Sequence, residues 1–360
     1  MAQLNNNTVL NALSHVLDPD LKQDLVSLKM IDNITIEETS LSFEVILTTP
    51  ACPLKGKIES DCKEAIAQYI SPNISVNVKF TSKVRDVRQM RDIKLPGVKN
   101  VIAVVSGKGG VGKSTVAANL AVALARLGAK VGLVDADIYG PSVPIMFGLE
   151  GYRPQAEQEG DKTWIIPAER YGIKLISTGF FIDPDKALAW RGPMASNALR
   201  QLFADTQWGE LDYLICDMPP GTGDIHLTLV QGLTLAGAVV VGTPQKVAVA
   251  DVKKAIALFG MEPLDVPILG IVENMAYFTP AELPDAKYYI FGKDGCKQLA
   301  DLLNIPLLAQ IPIVQSISES GDAGKPIVTD EASIAGQAFS ILAQNVAQQL
   351  AIQQVNVNKQ

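Results

Sequence analysis

The chain has 360 residues, 48% of them hydrophobic and 19% charged, which suits two folded domains and excludes a disordered chain. Lys and Arg number 31 against 38 Asp and Glu, a formal charge of −7 that weighs against a general nucleic-acid binder. The four cysteines (Cys52, Cys62, Cys216 and Cys296) contain no CxxC pair, so neither a zinc finger nor a disulfide framework is indicated. The N-terminus lacks a basic segment leading into a long apolar run, and no stretch of eighteen uninterrupted apolar residues occurs. A reduced, soluble, cytoplasmic protein with no membrane partner is the expectation.

In chain order, Asn5–Leu17 carries Val9, Leu10, Leu13, Val16 and Leu17 at helical spacing. Strand-like runs follow at Val26–Ile36 and Leu41–Thr48, then a helical run at Leu54–Ile70 and an alternating strand at Ile74–Phe80. Residues 1–85 thus read as a small α+β domain, and the basic stretch 86–99, with Pro96 and Gly97, as a linker. From residue 100 to 350 the pattern becomes strand, turn, helix, strand. Apolar runs at Val101–Val105, Val131–Val134, Tyr213–Ile215, Ala238–Val241 and Ile268–Val272 suit parallel strands covered on both faces. The fold class expected is α/β, a doubly wound, mostly parallel sheet preceded by the small domain. Residues 351–360 read as a flexible tail.

The sharpest signal is VIAVVSGKGGVGKSTVAANL (101–120). Residues Gly107, Lys108, Gly109, Gly110, Val111, Gly112, Lys113 and Ser114 match GxxxxGK[ST] between an apolar strand and an Ala-rich helix. Glycines let successive N–H groups point at phosphate oxygens, and the helix N-terminus adds its dipole. Lys113 brings a point charge to the β and γ phosphates of a nucleotide, while Ser114 can ligate Mg²⁺; Thr115 completes the loop. LDYLICDMPPG (211–221) ends a strand in Asp217, as expected of a carboxylate holding Mg²⁺. VGLVDADIYGPS (131–142) places Asp135 and Asp137 at another strand end, where ligands bind in open α/β sheets. For each such aspartate the competing role is a helix cap or turn. His226 has no matched partner in the sequence, and a packed or loop histidine is its ordinary reading.

With Lys108 in its second position, GKGGVGKST resembles the loop of the deviant Walker-A ATPases, a group that includes MinD, ParA, the arsenical pump ATPase and the nitrogenase iron protein. The resemblance implies a homodimer with ATP at its interface, Lys108 reaching the partner's phosphates and Asp137 orienting the attacking water. Such bridging charge is worth roughly 10³–10⁵ in rate where it acts as an arginine finger does. Within the group the chain resembles the Mrp/ApbC iron–sulfur cluster carrier ATPases. The matching segments are 134–148, WRGPM (190–194), DMPPGTGDIHLT (217–228), TPQKVAVADVKKAI (243–256) and ENMAYF (273–278). By that resemblance Asn274 lies against the adenine, and apo iron–sulfur proteins and assembly factors are the partners. Segments 16–31 and TTPACPL (48–54) resemble a small domain found in iron–sulfur assembly factors.

The family's CPxC motif after ENM-x-YF has no counterpart here, where residues 279–285 read TPAELPD. Thiolates are the usual ligands of these clusters, so a transient [4Fe–4S] cluster would need other cysteines. Cys216 lies in an apolar strand and Cys62 in a helix, both explicable as packing. Cys296 starts a helix, where a thiolate could be favoured, and Cys52 follows the small-domain pattern and is the first candidate. The alternative to a cluster carrier is a ParA/MinD-like positioning switch on DNA or membrane.

Overall fold

The computed structural model describes residues 5–19, 21–37, 40–47, 54–82, 93–160, 162–182, 192–221, 223–262, 264–280, 282–283 and 285–357. The chain forms two compact units, residues 1–85 together with 347–360, and residues 86–346.

In the first unit, helix α1 (Asn6–Leu13) starts at a capping box: Thr8 N–H donates to Asn5 Oδ1 and Asn5 N–H to Thr8 Oγ1, each at 3.0 Å. It ends sooner than the apolar spacing predicts. Ser14 Oγ donates to the Asn11 carbonyl at 2.7 Å, and His15 Nδ1 lies 3.0 Å from the same oxygen. These side chains take over a carbonyl of the last turn. Strands β1 (Ile31–Ile36), β2 (Ser40–Leu47) and β3 (Ser75–Ser82) form a sheet in that order, antiparallel then parallel. The parallel pair is joined by helix α2 (Lys55–Tyr69). Strict alternation buries Leu41, Phe43, Val45 and Leu47 of β2 with Ile58, Cys62, Ala65 and Ile66 of α2. The expected strand at Val26–Ile36 begins only at Ile31, because residues 25–29 form a turn and Lys29 adopts a positive φ of 55°.

The second unit opens with strand β4 (Val98–Val105), helix α3 (Lys113–Arg126) and strand β5 (Val131–Asp135). A short helix α4 (Val143–Met146) and a hairpin of β6 (Ala156–Glu159) and β7 (Lys162–Ile165) follow. Then come β8 (Ala168–Arg170), β9 (Ile173–Ser177), α5 (Gly192–Ala204), β10 (Leu211–Asp217), α6 (Asp224–Gly232), β11 (Leu235–Gly242), α7 (Lys246–Phe259) and β12 (Ile268–Glu273). The chain closes with α8 (Gly295–Leu303), β13 (Leu307–Gln310), α9 (Gln315–Asp322) and α10 (Ile334–Val357). The sheet runs β13-β12-β11-β4-β10-β5-β9-β8, parallel throughout except at the β8 edge. It is thus the expected α/β fold with a mostly parallel sheet. Strands β5, β10 and β11 are buried at every residue, as sheets covered on both faces require. The helix that ends the chain runs to Val357, past the point where a flexible tail was expected, and Leu350 and Ala351 within it are buried. No helix among the described residues is long and apolar enough to cross a membrane.

Replacing Ile58, fully buried under β2, by Ala should cost the first unit about 2–5 kcal/mol. Faster hydrogen exchange across β2, with exchange in β10 unchanged, is the expected readout.

Candidate functional site

Strand β4 runs directly into the loop 106–112, which delivers its chain to the N-terminus of α3. Two glycines are dictated by geometry. Gly112 has φ +81°, and a Cβ there would come 2.2 Å from Asn274 Nδ2; a Cβ on Gly107 would come 2.3 Å from the carbonyl oxygen of Asp251 in α7. Side chains at these positions would push the loop off its supports. Ser106 Oγ donates to the Lys108 carbonyl at 2.9 Å, and Gly221 N–H to the Ser106 carbonyl at 3.1 Å, tying the loop to the segment after β10. Gly109 and Gly110 are exposed with open space beside them, so this backbone is free to approach an anion.

Lys113 lies at the centre of the site. Its Nζ donates to Asp217 Oδ1 at 2.5 Å and to Ser114 Oγ at 3.3 Å, and stands 3.9 Å from Asp137 Oδ2. Asp217 is fully buried, and burial holds its carboxyl above the usual range despite Lys113 and the hydroxyl of Ser114. Its Oδ2 has no hydrogen-bond partner among the described residues. An oxygen acceptor left over beside the Ser114 hydroxyl fits Mg²⁺, a hard cation that takes oxygen ligands.

Asp135 sits beside Asp217 in strand register, fully buried. It accepts from Ser177 Oγ at 2.9 Å and from the N–H groups of Asp137 and Val143, both at 3.2 Å. Burial, and then the neighbouring charge of Asp217, push its carboxyl up to about 7. Asp135 thus fixes residues 137–143 and the end of β9, while Asp137 faces Lys113 from the segment that follows β5. Asp137 in turn accepts from the N–H groups of Tyr139 and Gly140 at 3.2 and 3.3 Å. Lys108 is half-buried and has no ion-pair partner among the described residues. Thr115 lies in the first turn of α3, its carbonyl accepting from Asn119 Nδ2 at 2.9 Å.

Asn274 comes to the same loop from the end of β12, donating from Nδ2 to the Val111 carbonyl at 2.8 Å. Its neighbour Glu273 was not singled out by the sequence, although a carboxylate closing an otherwise apolar strand is a visible signal. It is fully buried, and accepts from Cys296 N–H at 2.6 Å and from Gln310 Nε2 at 2.7 Å. His226 is packed edge-on against Phe259, with ring centroids 5.4 Å apart, and neither ring nitrogen has a hydrogen-bond partner among the described residues. Burial lowers its pKa to about 4.

The cysteines divide sharply. Cys62, Cys216 and Cys296 are fully buried. Burial pushes the thiols of Cys62 and Cys296 up to about 12 and that of Cys216 higher still. A helix-start thiolate at Cys296 is therefore corrected: the site is dry, and the charge of Glu273 adds to the cost of a second anion. Cys52 lies outside the described residues, which contain no group of three or more metal-ligating side chains.

A phosphate loop backed by a lysine and by carboxylates at the ends of parallel strands defines a P-loop NTPase. Residues 97–347 match the family model of the NUBPL iron-transfer P-loop NTPase, and residues 6–80 match that of an iron–sulfur cluster assembly protein. The chain belongs to this iron-transfer NTPase family. It is 46% identical over 347 residues to the iron–sulfur cluster carrier protein of Synechocystis sp., covering 96% of this chain and 97% of the relative. The iron–sulfur cluster carrier protein of Escherichia coli K12 is 40% identical over 344 residues, covering 95% and 91% respectively. A solved nucleotide-binding protein from Archaeoglobus fulgidus in complex with ADP shares 40% identity with a TM-score of 0.57, covering 65% of this chain and 91% of its own.

Two pH-dependent outcomes follow from the site. Removing Lys113 strands the buried Asp217 carboxylate, at about 3–5 kcal/mol where it stays ionised. Lys113→Met should therefore lower the Tm, and the loss should shrink as pH falls and the raised carboxyl of Asp217 takes up its proton; thermal scans over a pH series measure the trend. For His226, the unfolded ring takes up a proton below pH 6.5 and the folded ring only near pH 4. Roughly 3 kcal/mol of stability, present above pH 6.5, is lost as pH falls towards 4. Denaturant unfolding across that window should show a shallower fall in His226→Leu.

Proposed function

We propose that this chain binds and hydrolyses ATP with Mg²⁺ and uses the cycle to carry iron–sulfur clusters to apo-proteins in the cytoplasm. The observation that supports it most is the convergence on the phosphate loop of Lys113, Asp217 and Asp137 from three different elements. Relatives named as cluster carriers that match nearly the whole chain support the carrier half. The match of the N-terminal unit to an assembly-protein domain favours this reading over the positioning switch.

In this reading the loop N–H groups and Lys113 bind the β and γ phosphates of ATP, so Lys113 must give up part of its pairing with Asp217. Ser114 and Asp217 would hold Mg²⁺, which neutralises phosphate charge when bound. Asp137, already within 3.9 Å of Lys113, accepts a hydrogen bond from the attacking water and orients it. Lys108 has no ion-pair partner among the described residues and reaches the phosphates bound by a second copy, so the working form is a homodimer. The cluster is cargo. Cys52 contributes a thiolate to it, and the recipient or another carrier supplies further ligands.

Lys113→Ala should lose ATP binding, whereas Lys108→Ala should retain it and lose most turnover in a phosphate-release assay. Normal hydrolysis by Lys108→Ala removes the cross-subunit role. For the cargo, anaerobic reconstitution with iron and sulfide counting, with and without ATP, should show lower uptake by Cys52→Ala. Uptake equal to that of the unaltered chain removes Cys52 as a ligand.

A further inference from the structure

Asp137 lies between β5 and α4, and its two carboxylate oxygens have different surroundings. Oδ1 accepts from the N–H groups of Tyr139 and Gly140, at 3.2 and 3.3 Å, while Oδ2 faces Lys113 Nζ at 3.9 Å. A group that orients water has to offer one oxygen in a fixed direction. The turn at Tyr139 and Gly140 occupies the first oxygen. The direction of the second depends on what holds the backbone of Asp137.

That backbone is held from the end of β9. Ser177, fully buried, is the register partner of Asp135 where the two parallel strands end. Its hydroxyl donates to Asp135 Oδ2 at 2.9 Å and accepts from Gly179 N–H at 3.0 Å, so both of its roles are taken. The carboxylate that it steadies ties down both ends of the segment, with Asp137 N–H on Oδ1 and Val143 N–H on Oδ2. Ser177 also caps a single 3₁₀ turn, Thr178–Phe180, whose first hydroxyl donates to the Asp137 carbonyl at 3.3 Å. The N–H of Asp137 is thus fastened through Asp135 to Ser177, and its carbonyl directly to Thr178. Between these points Gly179 lies against Pro141 and Pro144: a Cβ there would come 3.0 Å from Pro144 Cγ and 3.2 Å from Pro141 Cβ. Prolines have no N–H to donate, so packing on this turn is what they can add to the segment's support.

We infer that Ser177 and Thr178 are positioning residues for hydrolysis, two consecutive hydroxyls that hold the backbone of Asp137 so that its Oδ2 keeps its direction. Both act through Asp137, and the phosphate loop binds the nucleotide without them. Losing either one costs rate and leaves affinity nearly unchanged. This rests on the reading of Asp137 as the residue that orients the attacking water.

The test compares the full-length chain with Ser177→Ala and Thr178→Val. The second keeps the branched shape and spares the buried Asp135, so it decides the matter should Ser177→Ala fail to fold. Phosphate release at saturating ATP gives kcat, and calorimetry gives the affinity for ADP. Each variant should lower kcat about 5- to 50-fold, through one lost hydrogen bond and a displaced carboxylate, with ADP affinity within about 2-fold. Thr178→Ser, which keeps the hydroxyl, should recover most of the rate. In an Asp137→Asn background neither change should cost more than about 2-fold further, because residues acting through one group are not additive. Normal kcat in either folded variant overturns the inference. So does a loss of ADP affinity as large as the loss of rate, or an undiminished further loss beside Asp137→Asn. Normal hydrolysis by Asp137→Asn itself defeats the water-orienting reading and the inference with it. An inactive Asp137→Asn beside normal hydroxyl variants sinks the inference alone.

Discussion

One buried cation organises the nucleotide face of this protein. Lys113 stands among carboxylates that the parallel sheet brings together, because β5 and β10 are neighbours and both end in aspartate. Two buried acids side by side repel, and both Asp135 and Asp217 are held above the normal carboxylate range by the absence of water. The lysine makes this arrangement tolerable, and the hydroxyl of Ser177 and the N–H groups around Asp135 do the rest. The nucleotide site is consequently a place where charge is already concentrated and only loosely balanced, which suits a polyanion that arrives with its own cation.

Much of this was legible in the sequence because the phosphate loop requires a rare combination of residues in order. The glycines, Lys113 and Ser114 occupy the loop and the first turn of α3, as the spacing implied. Asp217 and Asp137 meet Lys113 because a parallel sheet puts the ends of its strands on one side. The five apolar runs became the central strands, since a strand buried on both faces has to be apolar throughout.

Other elements left no such trace. The edge strand β8 and the exposed hairpin β6–β7 are three or four residues long and of mixed composition, too short for a periodic pattern to stand out. In the first unit the periodicity of Asn5–Leu17 ran on into residues whose side chains close the helix. Burial also decided what spacing left open. Cys296 at a helix start reads as reactive until Glu273 and a dry interior are placed beside it. Glu273 itself has an unremarkable sequence position and a structural role that appears only when α8 and β13 fold against it.

The sealed thiols also set a limit on ligand arithmetic. Three of the four cysteine thiols are committed to the interior, which leaves Cys52 as the one the carrier proposal can draw on. A four-iron cubane normally takes four thiolates, and on that proposal two copies of the chain would bring two. Under the same proposal the donor or the recipient of the cluster completes the remaining irons, and hand-over becomes a matter of adding ligands on one side before many need to be broken on the other.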